Sequence, residues 1–395
     1  MRARLGRVPW LLVACGLLLS ACAKFDDRAA GQTFVPAPEL SAPAGPQPQL
    51  PEMDGPSGTA APVPAPGTPV PPPQGCTDYD KAVIATCLNT VSAVAALPGD
   101  PSTPSALAAE RTTGRVLLVI AGQKPTQLAQ LSVDADGDGG LTGLALSPTY
   151  GEDQLVFAYI TTATDNRVVR FTQGEQPKPI LTGIPKGPTG NRGAIISDGR
   201  ALLVATGDAG NPAAAADPTS LAGKVLRIDT SGNPAPGNPT PGSRVYASGL
   251  ADPGGLCKSA DASRVWVTDR EAASDALYQV QPGASLTVPT WTWPDKPGVA
   301  GCADGDQLVM IATSTTPGVQ DLPIAADGSV SGAPTAILDG KGGPTYGRLS
   351  GIDAIDNQYA LAGTVNRDGG QPVSSDDRVI VIQIQPSSGG GAGKD

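Results

Sequence analysis

The side chains able to do chemistry stand at a few junctions. Asn191 and Arg192 lie in KGPTGNRGAIISDG, Asp208 follows ALLVATG, and Lys224 opens KVLRID. Arg270 closes RVWVTDR, and Arg348 precedes LSGIDAID. Each sits where a short apolar run hands over to a loop. Cations so placed suit an anionic ligand held by charge-assisted hydrogen bonds. They equally suit pairing with Asp198, Asp208, Asp269 or Asp353, which would brace loops instead. Asp134, Asp136 and Asp138 with Gly139 open like a calcium loop, and Leu141 fits its apolar place. The twelfth position of such a loop needs a bidentate carboxylate and here is Ala145, so three solvated turn residues are the plainer reading.

Other chemistry is excluded more firmly. The chain contains no His, which removes the commonest general base and the commonest metal ligand. No catalytic residue is assigned and no resident cofactor is expected. There is no serine elbow, Walker loop or dinucleotide fingerprint. The Gly139–Gly143 stretch is glycine-rich, but no helix follows it to cradle a phosphate. Trp291 and Trp293, in VPTWTWP, have the faces to stack on a sugar, or to pack between sheets.

The elements that would position these residues are short strands. Runs such as Ala201–Thr206 and Lys224–Ile228 are rich in Val, Leu and Ile and bounded by Gly, Asp and Pro. Asp198-Gly199 supplies a tight turn before the first of them. The pattern repeats six times. The units begin near Ser105, Leu141, Arg192, Pro253, Val299 and Arg348. With Leu107, Leu144, Ala194, Leu256, Cys302 and Ile352 as equivalent positions, the spacings are roughly 37, 50, 62, 46 and 50 residues. A four-stranded propeller blade needs about that length. An all-β, six-bladed β-propeller over residues 76–386 is therefore expected, against the alternative of a two-sheet sandwich. The small residues of each first strand suit a crowded inner ring. One helix is expected, over Cys76–Leu97, where Ala, Val, Ile and Leu dominate and Pro98 follows.

The ends read differently. Residues 1–21 have the form of a lipoprotein signal peptide: Arg2, Arg4 and Arg7, then an apolar run too short to span a bilayer. It ends in Leu19-Ser20-Ala21-Cys22, a lipobox, with Cys22 as the diacylglycerol attachment point. The bilayer would be the first partner, with the chain anchored to the cell membrane on its extracytoplasmic face. Residues 22–75 are rich in Pro and Ala and cannot bury a core. As an extended, disordered tether they would reach on the order of 150 Å. The tail 387–395 is Gly/Ser-rich and expected to be disordered.

A formal charge of −10 argues against nucleic acid. Setting aside Cys15 in the signal and Cys22, four cysteines remain: Cys76, Cys87, Cys257 and Cys302. In an exported domain they suggest two disulfides. Of the three connectivities, Cys76–Cys87 with Cys257–Cys302 is the simplest. A monomer is expected, with an envelope glycan, small molecule or protein as its further partner.

Several segments in order resemble the glucose/sorbosone dehydrogenases. They are GGLTGLALSPTYGEDQLVFAYIT, NRVVRF, DGRALLVATGDAG, LAGKVLRID and YASGLADPGGL. The resemblance is good over roughly Gly139–Leu256 and weak elsewhere. It implies a six-bladed propeller and, in an active member, pyrroloquinoline quinone (PQQ) with calcium. It also implies a His-Asn-Gly-Gly segment whose His takes the proton as hydride passes to the quinone. Here that segment is Gly190-Asn191-Arg192-Gly193, with Gly190 in the place of the base. A Gly-x-Arg-Asn-Pro segment, whose Arg helps hold the quinone's carboxylates, is here Gly249-Leu250-Ala251-Asp252-Pro253, with Ala251 in the Arg place. The resemblance thus implies a sugar-dehydrogenase-like propeller that has lost catalysis and serves binding. Its alternatives are an active PQQ-dependent sugar dehydrogenase with a rearranged site, or a structural interaction platform.

Overall fold

The computed structural model describes residues 70–341 and 344–384. The signal peptide, Cys22, most of the tether and the tail lie outside the described residues.

Six four-stranded antiparallel sheets form the blades of a propeller. Strand β1 (Val83–Ala85) comes first in the chain but belongs to the last blade. The first blade runs outward through β2 (Val91–Ala96), β3 (Ser105–Glu110), β4 (Arg115–Ile120) and β5 (Thr126–Gln130). The second has β6 (Leu141–Leu146), the four-residue helix α1 (Tyr150–Asp153), β7 (Val156–Thr161), β8 (Asn166–Phe171) and β9 (Lys178–Ile184). The third has β10 (Gly193–Ser197), β11 (Leu202–Thr206), the short helix α2 (Pro212–Ala216), β12 (Lys224–Ile228) and β13 (Val245–Ser248). The fourth is β14 (Pro253–Lys258), β15 (Val265–Arg270), β16 (Asp275–Gln279) and β17 (Trp291–Trp293). The fifth is β18 (Val299–Asp304), β19 (Leu308–Thr313), β20 (Val319–Pro323) and β21 (Thr335–Ile337). In the last, β22 (Leu349–Ala354), β23 (Tyr359–Thr364) and β24 (Val379–Gln383) are completed by β1, paired antiparallel to β24. The all-β, six-bladed architecture expected from the repeat is what forms.

Two expectations are corrected. No helix forms over Cys76–Leu97; the segment supplies β1 and β2. Cys87 and Thr90 take positive φ (56° and 45°), which interrupts any helix. The flanking apolar runs are rich in β-branched residues and find strand edges to pair with, so tertiary pairing overrides a helical-looking composition. The first repeat is also displaced. Ser105–Glu110 is the second strand of its blade, so Leu107 sits one strand too far out. Val94, on the innermost strand, is the equivalent residue, and the first spacing becomes about 50 residues.

The core lies in the seams between blades. Each of six clusters of buried apolar residues joins one blade to the next, and the last cluster, with Ile84, Val91, Val94 and Leu361, joins the last blade to the first. Strand β7 shows how period-two alternation serves two seams. Val156, Ala158 and Ile160 pack toward the first blade, while Phe157 and Tyr159 pack toward the third. A strand buried on both faces reads as a continuous apolar run rather than an alternating one. Around the channel, side-chain hydroxyls tie blade to blade. Ser350 donates to Ser92 O, Ser92 to Leu141 O, Thr142 to Gly193 O and Thr268 to Ala300 O, at 2.6–3.1 Å. Small residues are obligatory here: a Cβ on Gly301 would lie 2.5 Å from the Ile352 amide nitrogen.

Both disulfides form as expected. Cys76–Cys87 closes the segment around β1, and Cys257–Cys302 joins the innermost strands of the fourth and fifth blades.

Candidate functional site

Inner strands of the third, fourth and fifth blades begin at one rim. The loops there enclose a cleft of about 980 Å³. Its walls come from residues 188–192, 208–216, 248–252, 270–275 and 296–298, with Asp138 and Thr315 from the sides. Arg192, Asp208 and Arg270 of the expected residues face this cleft. The others do not.

Arg192 forms an ion pair with Asp252, and each is partly buried. Arg270 is spent inward: its guanidinium donates to Val299 O at 2.7 Å, Gly298 O at 3.2 Å and Ser314 Oγ at 2.8 Å. Burial, and then the neighbouring Arg192 cation, pull its pKa down to about 10. Lys296, unassigned from the sequence, donates to the carbonyls of Glu271 and Ala272. Each cation of the cleft wall is therefore occupied by the protein itself.

Carboxylates line the same cleft. Asp208 is 7% exposed, and its Oδ1 accepts the Gly210 amide at 2.7 Å. Burial raises its pKa against the pull of the Gly210 and Asn211 amides. Among the described residues no side chain donates to this carboxylate. Burial also raises Asp252, against the pull of Arg192, and Asp252 Oδ1 is buried without a partner among the described residues. Beneath them Asp269 accepts the amides of Ala251 and Asp252 at 2.8 and 2.7 Å, and burial pushes it up to about 7. Asp275 caps the Gly298 and Val299 amides at 2.6 and 3.0 Å.

Asn191 is fully buried and holds the loop together. It donates to Asp138 Oδ1 and Gly187 O, both at 2.9 Å, and accepts the Gly187 amide at 2.9 Å. Lys224 lies beneath the surface with Nζ donating to Ala214, Ala215 and Ala222 carbonyls at 2.7–2.8 Å. It braces the α2 loop, and burial lowers its pKa to about 8. Arg348 lines a separate cleft of about 550 Å³, where Nη1 reaches Asp368 O at 3.4 Å. Of the cations, Lys224 and Arg348 brace loops, with partners other than the acids expected.

The three loop carboxylates do not assemble a cation site. Asp134 pairs with Lys186, Asp136 lies on the turn, and Asp138 accepts the Gly190 amide at 2.7 Å. Among the described residues no group of three or more acidic or Cys side chains is placed to hold a metal. Trp293 is buried in the seam between the fourth and fifth blades, with Trp291 packed against it, so both serve packing. Asp252, Asp275 and Lys296 escape sequence reasoning. Each is an ordinary polar residue beside a turn, and nothing in spacing brings Asp252 to Arg192, 60 residues away.

At Gly190 the backbone is left-handed (φ +68°), and an added Cβ would lie 2.7 Å from Asp208 Oδ1 and 2.9 Å from the Ala209 amide nitrogen. The place where the resemblance puts a proton-accepting His has no room for a side chain.

The six sheets, with an open cleft at one rim, define the class, a six-bladed β-propeller. Within it, the glucose/sorbosone dehydrogenase family profile matches residues 90–342, and the chain belongs to that family. The PQQ-bound aldose sugar dehydrogenase of Streptomyces coelicolor is 30% identical, with a TM-score of 0.69 over 80% of this chain and 100% of its own. A glucose dehydrogenase-like oxidoreductase of Thermus thermophilus is 29% identical, with a TM-score of 0.67 over 76% of this chain and 98% of its own. The apo aldose sugar dehydrogenase of Escherichia coli, at 18% identity and TM-score 0.62 over 76% of this chain and 99% of its own, shares the fold. None of the curated proteins matches the chain.

Proposed function

We propose that this chain is a sugar-dehydrogenase-like propeller that has given up catalysis and binds a small molecule or envelope glycan in its rim cleft. It is held at the extracytoplasmic face of the cell membrane through a diacylglycerol on Cys22. The observation that carries the reading is Gly190. The family's base position is glycine, a Cβ there would meet the Ala209 backbone, and the whole chain has no His. Losing a positioned base typically costs 10²- to 10⁴-fold.

The cofactor implied by the family fits poorly. PQQ carries several carboxylates when bound and supplies hydride-accepting chemistry. Here Ala251 stands in the place of the clamping Arg, and the remaining cations are turned to Asp252 and to backbone carbonyls. The buried Asp252 oxygen, without a partner among the described residues, adds repulsion rather than a clamp.

One observation favours a second reading. Asp208 presses against the point where a Gly190 side chain would begin, and burial raises its pKa, the direction a general base needs. An active aldose dehydrogenase would then use Asp208. The test incubates the full-length chain with PQQ and calcium and assays aldose-dependent dye reduction. The expected result is no turnover above the protein-free control. Turnover that Asp208→Asn abolishes would replace the binding reading with the second one. For the anchor, labelled palmitate is expected to enter the chain and to be lost in Cys22→Ala.

A further inference from the structure

The cations read from sequence suited either an anionic ligand or the bracing of loops, and the geometry of the cleft that Arg192 and Arg270 line favours a bound cation instead. Resting on the binding reading above, we infer that the cleft selects a small polyhydroxylated amine, such as an amino sugar in its ammonium form.

The donors of the cleft are engaged by the protein. Arg192 is neutralised by Asp252, Arg270 is divided among three oxygens, and Lys296 among two carbonyls. An incoming carboxylate or phosphate would meet cations whose charge is already shared with Asp252 or with backbone carbonyls, and would lie among the carboxylates of the same cleft. Separating Arg192 from Asp252 would leave a second uncompensated oxygen on a side chain that already has one.

Acceptors tell the converse. Five carboxylates line the cleft against the three cations, a formal balance of −2. Most of the five are engaged: Asp138 and Asp275 cap amides, Glu271 accepts the Tyr278 hydroxyl, and Asp252 holds Arg192. Asp208 also caps an amide, and differs from Asp275, which lies beside Arg270, in having only another carboxylate, Asp138, as its charged neighbour. More than nine-tenths of the residue is buried, its Oδ1 accepts the Gly210 amide, and no cation or hydroxyl of the described residues reaches its carboxylate. A buried carboxylate that faces a cleft without a cation is an acceptor waiting for a donor. An ammonium supplies it with a charge-assisted bond about twice as strong as a neutral one.

Neutral groups around Asp208 suit the remainder of such a ligand. Thr189, Ser248 and Ser285 line the cleft, and their hydroxyls make no side-chain hydrogen bond among the described residues. A hydroxyl both donates and accepts, which matches the ring hydroxyls of a sugar. A cleft of about 980 Å³ has space for one or two sugar rings.

The experiment compares three probes on the full-length chain by calorimetry, at a pH where the amine is protonated. They are glucosamine, glucose and glucuronate. Glucosamine and glucose differ by an ammonium in place of a hydroxyl, so shape is nearly held constant. Glucosamine is expected to bind at least tenfold tighter than glucose, glucuronate not to compete, and added salt to weaken glucosamine alone. Asp208→Asn is expected to erase the tenfold preference. Equal binding of glucosamine and glucose, preference for glucuronate, or no binding of any probe would overturn the inference. So would a preference that survives Asp208→Asn. The probe comparison on the parent chain decides the matter even if that variant does not fold. Sugar turnover with the quinone would sink the binding reading while leaving the charge preference to be judged on its own.

Discussion

At the scale of single residues, the rim is a place where polar groups have been turned inward. Gly190 is the hinge of this. Its amide donates to Asp138, its left-handed backbone is strained for any other residue, and the space beyond it belongs to Asp208. A Gly190→His variant would therefore not rebuild a base; it would push the Ala209 backbone aside first. Elsewhere, Asp321 is a buried acid with no compensating charge. It lies on β20 at 6% exposure, its Oδ1 has no partner among the described residues, and burial alone pushes its pKa up to about 7. A folded-state pKa above the unfolded value near 3.9 means that the native state binds more protons between the two. Its stabilising share is complete below about pH 4 and is lost as the pH rises through about 7. Asp321→Asn is expected to remove that loss. The variant should match the parent near pH 4 and exceed it above pH 7 by roughly 2–4 kcal/mol, because a tenfold change in proton affinity corresponds to about 1.4 kcal/mol. Denaturant unfolding from pH 4 to 8 checks this, and parallel profiles for the two proteins would refute it.

At the scale of elements, each strand is held on two faces and the weak points are the connections. The two disulfides lie at such points. Cys76–Cys87 spans 11 residues around β1, and Cys257–Cys302 spans 45 residues between innermost strands. Cross-linking restricts the unfolded chain more for the longer loop, by about 3 kcal/mol for the first and about 4 kcal/mol for the second. Replacing Cys257 and Cys302 by Ser is expected to lower the unfolding free energy more than replacing Cys76 and Cys87. Reversed ranking in urea unfolding would show that the inner-ring bridge adds little beyond the hydroxyl ties already there.

At the scale of the whole molecule, the ring closes by borrowing. Strand β1 precedes the first blade in the chain yet pairs with β24 at the far end, with Val83 opposite Ile380. The seam between last and first blades depends on it, since Ile84, Ala85 and Leu88 pack with Val91, Leu117 and Val379. Leu88 and Asp377 exchange backbone hydrogen bonds, and the Thr90 amide donates to the Asp377 carboxylate. A chain lacking residues 1–88 would expose the β24 edge and open that seam. Its stability is expected to fall by at least the burial of Ile84, about 2 kcal/mol, with a broadened thermal transition. An unchanged melting temperature would mean that the remaining five seams hold the ring by themselves. Residues 76–80 of the described chain lie at the rim where β22 and β24 begin: Cys76 is bridged to Cys87, Asp78 accepts the Ser375 hydroxyl and Asp80 the Tyr346 hydroxyl.

Much of this was legible from residue order, and the limit has a physical cause. Strand runs, turn residues and a spacing near 50 are local properties, so they announce sheets of four and a ring of six. The even count and order of Cys76, Cys87, Cys257 and Cys302 announced two bridges. The glycine at the place where the resemblance puts a base was also legible, because it depends only on Gly190 standing in a recognisable segment. Whether a segment pairs as strand or coils as helix was not settled locally: Cys76–Leu97 became β1 and β2 because open edges at both ends of the ring were there to receive it. Nor could residue order say which cations stay free. Arg192 meets Asp252 and Arg270 meets the carbonyls of residues 298 and 299 only after three blades are brought side by side. The charge of a cleft is a sum over loops distant in sequence, and only the closed ring performs that sum.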